Sequence, residues 1–401
     1  MTLGIILFAV GIFLAVCLHE FGHLLTAKAF GMKATQYFAG FGPTLWSFRR
    51  GETEYGVKAI PAGGYVKIVG MTPLEEVAPA DSARAFWRFP AGKRLVVLAA
   101  GSITHFLLAF VTLYFLALFV GLPTSRPQLA EVSTCAPAVV TVANPAPACT
   151  AGDPPSPARL AGMRAGDEVL AFGGRPVRDV DALIAAVRAH PPGRVEVTVR
   201  RDGKRLTVPV TLVAVRRPDT ADPNRQVTVS ALGFSPGTVR EYPGVVGSVA
   251  GGGRLLGNLF TGTFESLKQF PGRLPKLWDA VTGGSRDPNT PVSVVGASRL
   301  GGEAFQAKQV AVYLGFFAAL NVFIGVFNLL PLLPLDGGHI AVLLFEQARS
   351  RLARLFRRQD PGRVDIAKLM PLTYVVILVF GALSVLAIVA DIVNPIANPF
   401  R

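Results

Sequence analysis

Four stretches of the chain carry no Asp, Glu, Lys or Arg: Thr2 to Leu18, Leu95 to Leu122, Val310 to Leu335 and Leu369 to Ala390, of 17, 28, 26 and 22 residues. As helix, the last three each cross the roughly 30 Å of a bilayer's hydrocarbon, and the first does so if it continues past its end. Backbone N–H and C=O groups find no water at that depth, so isolated runs of this kind must be helical. Composition agrees: of 401 residues 51% are hydrophobic and 16% charged, with mean hydropathy +0.44, more apolar surface than a water-soluble enzyme can hide. The expected fold is a polytopic α-helical membrane protein with four transmembrane helices. The first run lacks a basic leader and a small-residue cleavage site, so it reads as a retained helix and not a signal peptide.

The net charge of +14 raises the question of nucleic acid, but the Lys and Arg positions answer it differently. Residues 31–94 hold nine Lys/Arg against five Asp/Glu, and residues 346–368 hold seven against three. Both loops follow odd-numbered spans, so the positive-inside rule places them in the cytoplasm and both termini outside. The excess charge thus reports membrane orientation, with the lipid bilayer as partner and no nucleic acid. The expected division is residues 1–30, first transmembrane helix; 31–94, cytoplasmic loop; 95–122, second helix; 123–240, outer domain; 241–309, outer amphipathic segments; 310–345, third helix; 346–368, cytoplasmic basic loop; 369–390, fourth helix.

Within the outer insert, Ala161-Gly-Met-x-x-Gly-Asp-x-x-Leu170 precedes a helical pattern at Val180 to Ala189 and β-rich runs at Val195 to Arg200 and Leu206 to Val213. This arrangement resembles a PDZ domain. Upstream lies a Pro- and Ala-rich stretch, Thr141 to Pro157. Cys135 and Cys149 fall on the outer side, where a disulfide between them is expected, whereas Cys17 lies in the first span and reads as core packing. Val245 to Leu267 is apolar but carries Gly251-Gly-Gly253 and Arg254, which disfavour insertion; it is expected to be an outer amphipathic segment, with a second near Phe270 to Trp278. The cytoplasmic stretch Tyr37 to Met71 alternates short apolar runs with Gly and Pro and is expected to form membrane-associated β-hairpins.

At the end of the first run stands His19-Glu20-Phe21-Gly22-His23. Two His at i and i+4 share one helix face, as a metal requires, and the Glu beside the first is placed to act as a general base. A further ligand is needed at matched depth. Asp336 closes the third run in Asn328-Leu-Leu-Pro-Leu-Leu-Pro-Leu-Asp-Gly-Gly-His339, where Pro331 and Pro334 interrupt the helix. His19 lies 17 residues into an inward-running span and Asp336 ends another, so both arrive toward the cytoplasmic side. The expected site is Zn2+ held by His19, His23 and Asp336, with Glu20 catalytic. His105 either takes a hydrogen-bonding duty near the metal or bonds a neighbouring helix; His339 is expected beside the ligands and not among them, and His190 at the surface.

These motifs resemble the site-2 proteases, intramembrane zinc metalloproteases, and within them the bacterial PDZ-containing branch typified by the regulator of sigma-E protease. The resemblance covers essentially the whole chain. It rests on HExxH, Gly40-Phe-Gly-Pro43, Gly63-Gly-Tyr65, the Asn328 to Gly338 motif and Pro291-Val-Ser-Val-Val-Gly296, with some features similar to actinobacterial members. One departure stands out: Gly101-Ser-Ile-Thr-His105 occupies the place of Gly-Pro-x-x-Asn. The resemblance implies cleavage of single-span membrane proteins such as anti-sigma factors or remnant signal peptides, with an upstream site-1 protease acting on the same substrate. It also implies substrate contacts from Asn328 and from Gly63, Gly64 and Tyr65, the hairpin receiving an unwound substrate as an added strand. The implied location is the bacterial plasma membrane, with the outer domain extracytoplasmic and the active site near the cytoplasmic face. The rival reading is a PDZ membrane scaffold with a structural metal.

Overall fold

A computed structural model describes residues 1–71, 76–124, 126–141, 147–219, 225–236, 239–359 and 362–398, so residues 142–146 of the Pro/Ala-rich stretch lie outside the described residues. The chain forms two compact units, Met1–Val120 with Pro243–Arg401, and the inserted Gly121–Tyr242. Among the described residues, four helices are long and apolar enough to cross a membrane: α1 (Thr2–Ala29), α2 (Ala91–Val120, its last turn a π-helix), and, beyond the insert, helices at Val310–Asn328 and Met370–Val393.

Helix α1 is apolar over its first 18 residues, yet one face is the more deeply buried: Gly4, Phe8, Ile12, Ala15, His19 and Gly22 follow one another at steps of three or four, with Cys17, His23, Leu24 and Ala27 also buried. Its other side leaves Leu3, Ile6, Leu7, Val10, Leu14, Leu18, Phe21 and Leu25 exposed, a surface that suits hydrocarbon and not water. Between α1 and α2 lie two long strands, β1 (Ala34–Arg50) and β2 (Thr53–Ile68). Each bends over. Residues 36–39 of β1 pair with 54–57 of β2 on one side and with 64–67 on the other, while 46–50 pair with 53–57. Gly40 and Gly42, both at positive φ, supply the bend in β1.

The inserted unit contains short strands β3 (Leu122–Thr124) and β4 (Leu129–Val132), a helical turn α3 (Pro157–Leu160), strands β5 (Glu168–Phe172) and β6 (Arg175–Pro176), helix α4 (Val180–Ala189), and strands β7 (Gly193–Arg201), β8 (Lys204–Pro218), β9 (Gln226–Ala231), β10 (Phe234–Pro236) and β11 (Val239–Glu241). Five form one antiparallel sheet, in the order β6-β5-β7-β8-β9. Alternate residues Val195, Val197 and Val199 point into a core with Val169, Phe172, Leu183, Val187 and Leu212. Cys135 and Cys149 are bonded. In the turn after Gly166, fully buried Asp167 meets Arg201 at 2.6 Å and accepts from the Arg164 N–H at 2.9 Å.

Beyond the insert come α5 (Gly244–Val281), α6 (Val294–Gln306), α7 (Val310–Asn328), α8 (Asp336–Leu355) and α9 (Met370–Val393). Two expectations are corrected here. The two amphipathic segments are one 38-residue helix, α5, which continues through the glycine triplet because Gly251 and Gly252 are buried, and a Cβ on Gly252 would stand 3.2 Å from the Tyr114 backbone of α2. Close packing offsets the roughly 1 kcal/mol that each glycine costs a helix. The third helix does not reach residue 345: α7 stops at Asn328, a link with Pro331 and Pro334 follows, and α8 runs from Asp336 into the segment expected to be a loop.

Burial pushes the Asp167 carboxyl up, but the Arg201 guanidinium and the Arg164 N–H outweigh it and hold it below the usual carboxylate range. A depressed carboxyl contributes stability above its unfolded pKa, near 4, and loses it as pH falls through the folded value. Asp167→Ala leaves Arg201 without its partner and is expected to destabilise the inserted unit by about 3 kcal/mol. Pulse proteolysis of the full chain in urea reads this directly; unchanged cleavage within residues 121–242 would show that the pair contributes nothing.

Candidate metal centre

One helical turn separates His19 from His23 on the buried stripe of α1, and Asp336 is the first residue of α8. The three side chains converge. Nε2 of His19 and Nε2 of His23 are 3.2 Å apart, and Oδ2 of Asp336 lies 3.2 and 3.4 Å from them. A tetrahedral zinc with bonds of about 2.0 to 2.1 Å sets neighbouring ligand atoms about 3.3 Å apart, so this triangle is the face such an ion requires. The proton inventory agrees. Nδ1 of His23 lies 2.6 Å from the Val97 carbonyl, which can only accept, so in neutral His23 the proton sits on Nδ1 and Nε2 is bare. Oδ2 of Asp336 is buried without a hydrogen-bond donor. Lone pairs aimed at one point are costly unless a cation lies between them, and His19, His23 and Asp336 form the group among the described residues that could hold one.

Helix α2 comes very close. A Cβ on Gly101 would lie 2.4 Å from Cε1 and 2.5 Å from Nε2 of His19, and 2.5 Å from Nε2 of His23. On the facing helix, a Cβ on Gly22 would lie 2.4 Å from the Thr104 hydroxyl and 2.9 Å from the Ala100 carbonyl. Glycines thus let α1 and α2 touch where the imidazoles lie.

Glu20, half-buried, turns toward β2 and meets the backbone N–H of Val66. A Cβ on Gly64 would be 3.6 Å from its Cγ. The Tyr37 hydroxyl donates to the Cys17 carbonyl at 2.9 Å, and Lys28 donates to the Tyr55 hydroxyl at 3.0 Å, which fastens the hairpin along α1. Tyr65 stacks on Phe38 and Phe41 at centroid distances of 5.7 and 6.1 Å. Gly64 is therefore beside Glu20, and a Cβ on Gly63 would stand 3.2 Å from the Phe41 ring and 4.0 Å from Val16. Asn328 is the last residue of α7, half-buried, and is not in the converging group.

His105 is buried, its Nδ1 2.8 Å from Oδ1 of Asn321 on α7, and its ring centroid is 5.2 Å from that of His19. His339 lies in the first turn of α8, three residues from Asp336 and outside the converging group; Cys17 is a buried free thiol. His190 is not a bare surface residue: it sits edge-on to Phe172 and its carbonyl accepts from Ser230. Three partners of the site, Gly101, the Val97 carbonyl and Asn321, carry little or no signal in the sequence. A glycine in an apolar span signals close helix approach without saying what approaches; the Val97 carbonyl has no side-chain signal at all. Asn321, a polar residue in an uncharged run, was a legible hint.

Gly101→Ala would drive a methyl into both Nε2 atoms. It is expected to lower divalent-metal affinity at least about tenfold, read by metal content after dialysis against a chelator. Gly92→Ala, in open space on the same helix, is the matched control, and equal retention in the two variants would contradict the close approach of α2.

Residues 7–370 match the model of peptidase family M50. Across 98% of both chains the protein is 40% identical to the zinc metalloprotease Rip1 of Mycolicibacterium smegmatis, and across 98% of both it is 41% identical to Rip1 of Mycobacterium tuberculosis. It is 26% identical to the regulator of sigma-W protease RasP of Bacillus subtilis, over 90% of this chain and 94% of that one. With the family match running from the first apolar helix to the start of the last, and with mycobacterial relatives alike from end to end, the chain belongs to peptidase family M50, the site-2 proteases.

Proposed function

We propose that this membrane protein is a zinc-dependent intramembrane endopeptidase that cleaves single-span membrane proteins. The observation that carries the reading is the triangle of His19 Nε2, His23 Nε2 and Asp336 Oδ2, with the Glu20 carboxylate on the same helical turn. When bound, zinc supplies Lewis acidity that activates water and polarises the scissile carbonyl. Glu20 takes a proton from the attacking water and hands it to the leaving amine, the work of a general base that then serves as general acid. His23 is kept in its ligating tautomer by the Val97 carbonyl.

A peptide bond inside a helix is shielded by its own turns, so a substrate has to unwind before it is cut. Residues 63–66 of β2, next to Glu20, support a reading in which Gly63, Gly64 and Tyr65 align the unwound segment as an added strand. Asn328 is assigned a contact with substrate backbone on the strength of its motif. Anti-sigma factors and remnant signal peptides are the proposed substrate classes, after trimming by a site-1 protease; the name of the RasP relative ties that protein to sigma-W.

We assign the insert an extracytoplasmic PDZ domain, consistent with its five-stranded sheet, its flanking α4 and the Cys135–Cys149 bond in a compartment that permits oxidation. Both termini are assigned to the outer face, with the metal centre toward the cytoplasmic side of a bacterial plasma membrane. The scaffold alternative is disfavoured because a structural zinc site is closed by four protein ligands, whereas three gather here among the described residues and a carboxylate stands ready beside them.

Glu20→Gln is expected to keep zinc and to lose about 10²- to 10⁴-fold in cleavage of a co-expressed single-span substrate. Asp336→Asn should lose zinc together with activity. Metal analysis of each purified variant beside the cleavage assay separates the roles: a zinc-free but folded Glu20→Gln protein, or a fully loaded Asp336→Asn protein, would refute them.

A further inference from the structure

The two imidazoles of the candidate centre are supported unequally. His23 has the Val97 carbonyl on Nδ1, whereas Nδ1 of His19 is buried with no partner among the described residues. If Nε2 of His19 binds the metal, as the proposed function requires, its Nδ1 must carry the proton, and a buried N–H without an acceptor is destabilising. An acceptor of matching need lies on the neighbouring ring. The side-chain amide of Asn321 donates to the Phe317 carbonyl at 2.9 Å, which turns Oδ1 toward His105. Because Oδ1 can only accept, Nδ1 of neutral His105 carries the proton and Nε2 presents a lone pair. That Nε2 is likewise buried and without a partner among the described residues, and the His105 and His19 rings stand 5.2 Å apart, tilted by 45°.

We infer that His105 is a positioning residue for the metal ligand His19. Asn321 sets the tautomer of His105, and one shared water accepts from Nδ1–H of His19 and donates to Nε2 of His105. The chain Phe317 carbonyl, Asn321, His105, water, His19 thus does for one imidazole what the Val97 carbonyl does directly for the other. It gives a role to the sequence departure that places a histidine at position 105. His105 needs no contact with substrate or metal in this account.

The test uses the full-length chain in detergent, loaded with zinc or cobalt. His105→Leu removes the acceptor and should weaken metal retention against a chelator by about 10- to 100-fold, and it should shift the visible spectrum of the cobalt form. Asn321→Leu, which frees the tautomer, should move both readouts in the same direction. His105→Gln retains a side-chain acceptor and should hold metal close to wild type. Retention in His105→Leu equal to wild type would overturn the inference, and so would a loss in His105→Gln as large as in His105→Leu, since that would assign the effect to volume. A failure of the underlying site looks different: wild-type protein without stoichiometric metal, or His19→Ala holding it as tightly as wild type.

Discussion

Charged and hydrogen-bonding side chains buried or half-buried on a helix apolar enough to span a membrane have little solvent to fall back on, so His19, Glu20 and His23 are satisfied only where other parts of the protein reach them. Three elements do so at one point. Helix α2 brings its backbone against both imidazoles at Gly101 and offers the Val97 carbonyl to His23; α8 brings Asp336; β2 brings the Val66 N–H to Glu20. Hydrophobic burial drives little association between helices already in hydrocarbon, so such contact depends on close packing of small residues and on satisfied polar groups. The exposed leucines and phenylalanines on the other side of α1 are the counterpart of this arrangement, for they need no partner but lipid.

Much of this was legible because the relevant signals are local. An i, i+4 pair of histidines lies on one helix face whatever surrounds it, and a charge-free run long enough to span a membrane has few alternatives to helix. The joining of the Val245 to Leu267 and Phe270 to Trp278 segments was not legible. Gly251-Gly-Gly253 reads as a break when taken alone, and what holds α5 together is the backbone of α2, more than a hundred residues earlier in the chain. The hairpin region was expected as simple β-hairpins, yet residues 36–39 pair on both edges, a register that follows from two bends and not from alternation. His105 lies between these cases. Its departure from the family pattern was visible, while the orientation of Asn321 that defines its tautomer belongs to the fold alone.

The break between α7 and α8 explains why an aspartate from a third region of the chain can serve a pair of histidines on α1. Had α7 continued as one helix to residue 345, Asp336 would lie eight residues, or about 12 Å, farther along the same axis. Pro331 and Pro334 end that course, and the link is held in tight turns, the Leu332 N–H bonding the Leu330 carbonyl at 2.7 Å and the Leu335 N–H the Leu332 carbonyl at 2.8 Å, before the Gly338 N–H of α8 bonds the Leu335 carbonyl at 3.0 Å. The packing of this link against α8 needs space that no side chain can occupy. A Cβ on Gly337 would stand 2.3 Å from the carbonyls of Leu329 and Leu330, and one on Gly338 would stand 2.6 Å from the backbone of Leu332 and Leu333. The two glycines after Asp336 therefore have a steric cause. They let seven residues of unwound chain lie against the start of α8, which allows its first carboxylate to meet the imidazoles of α1.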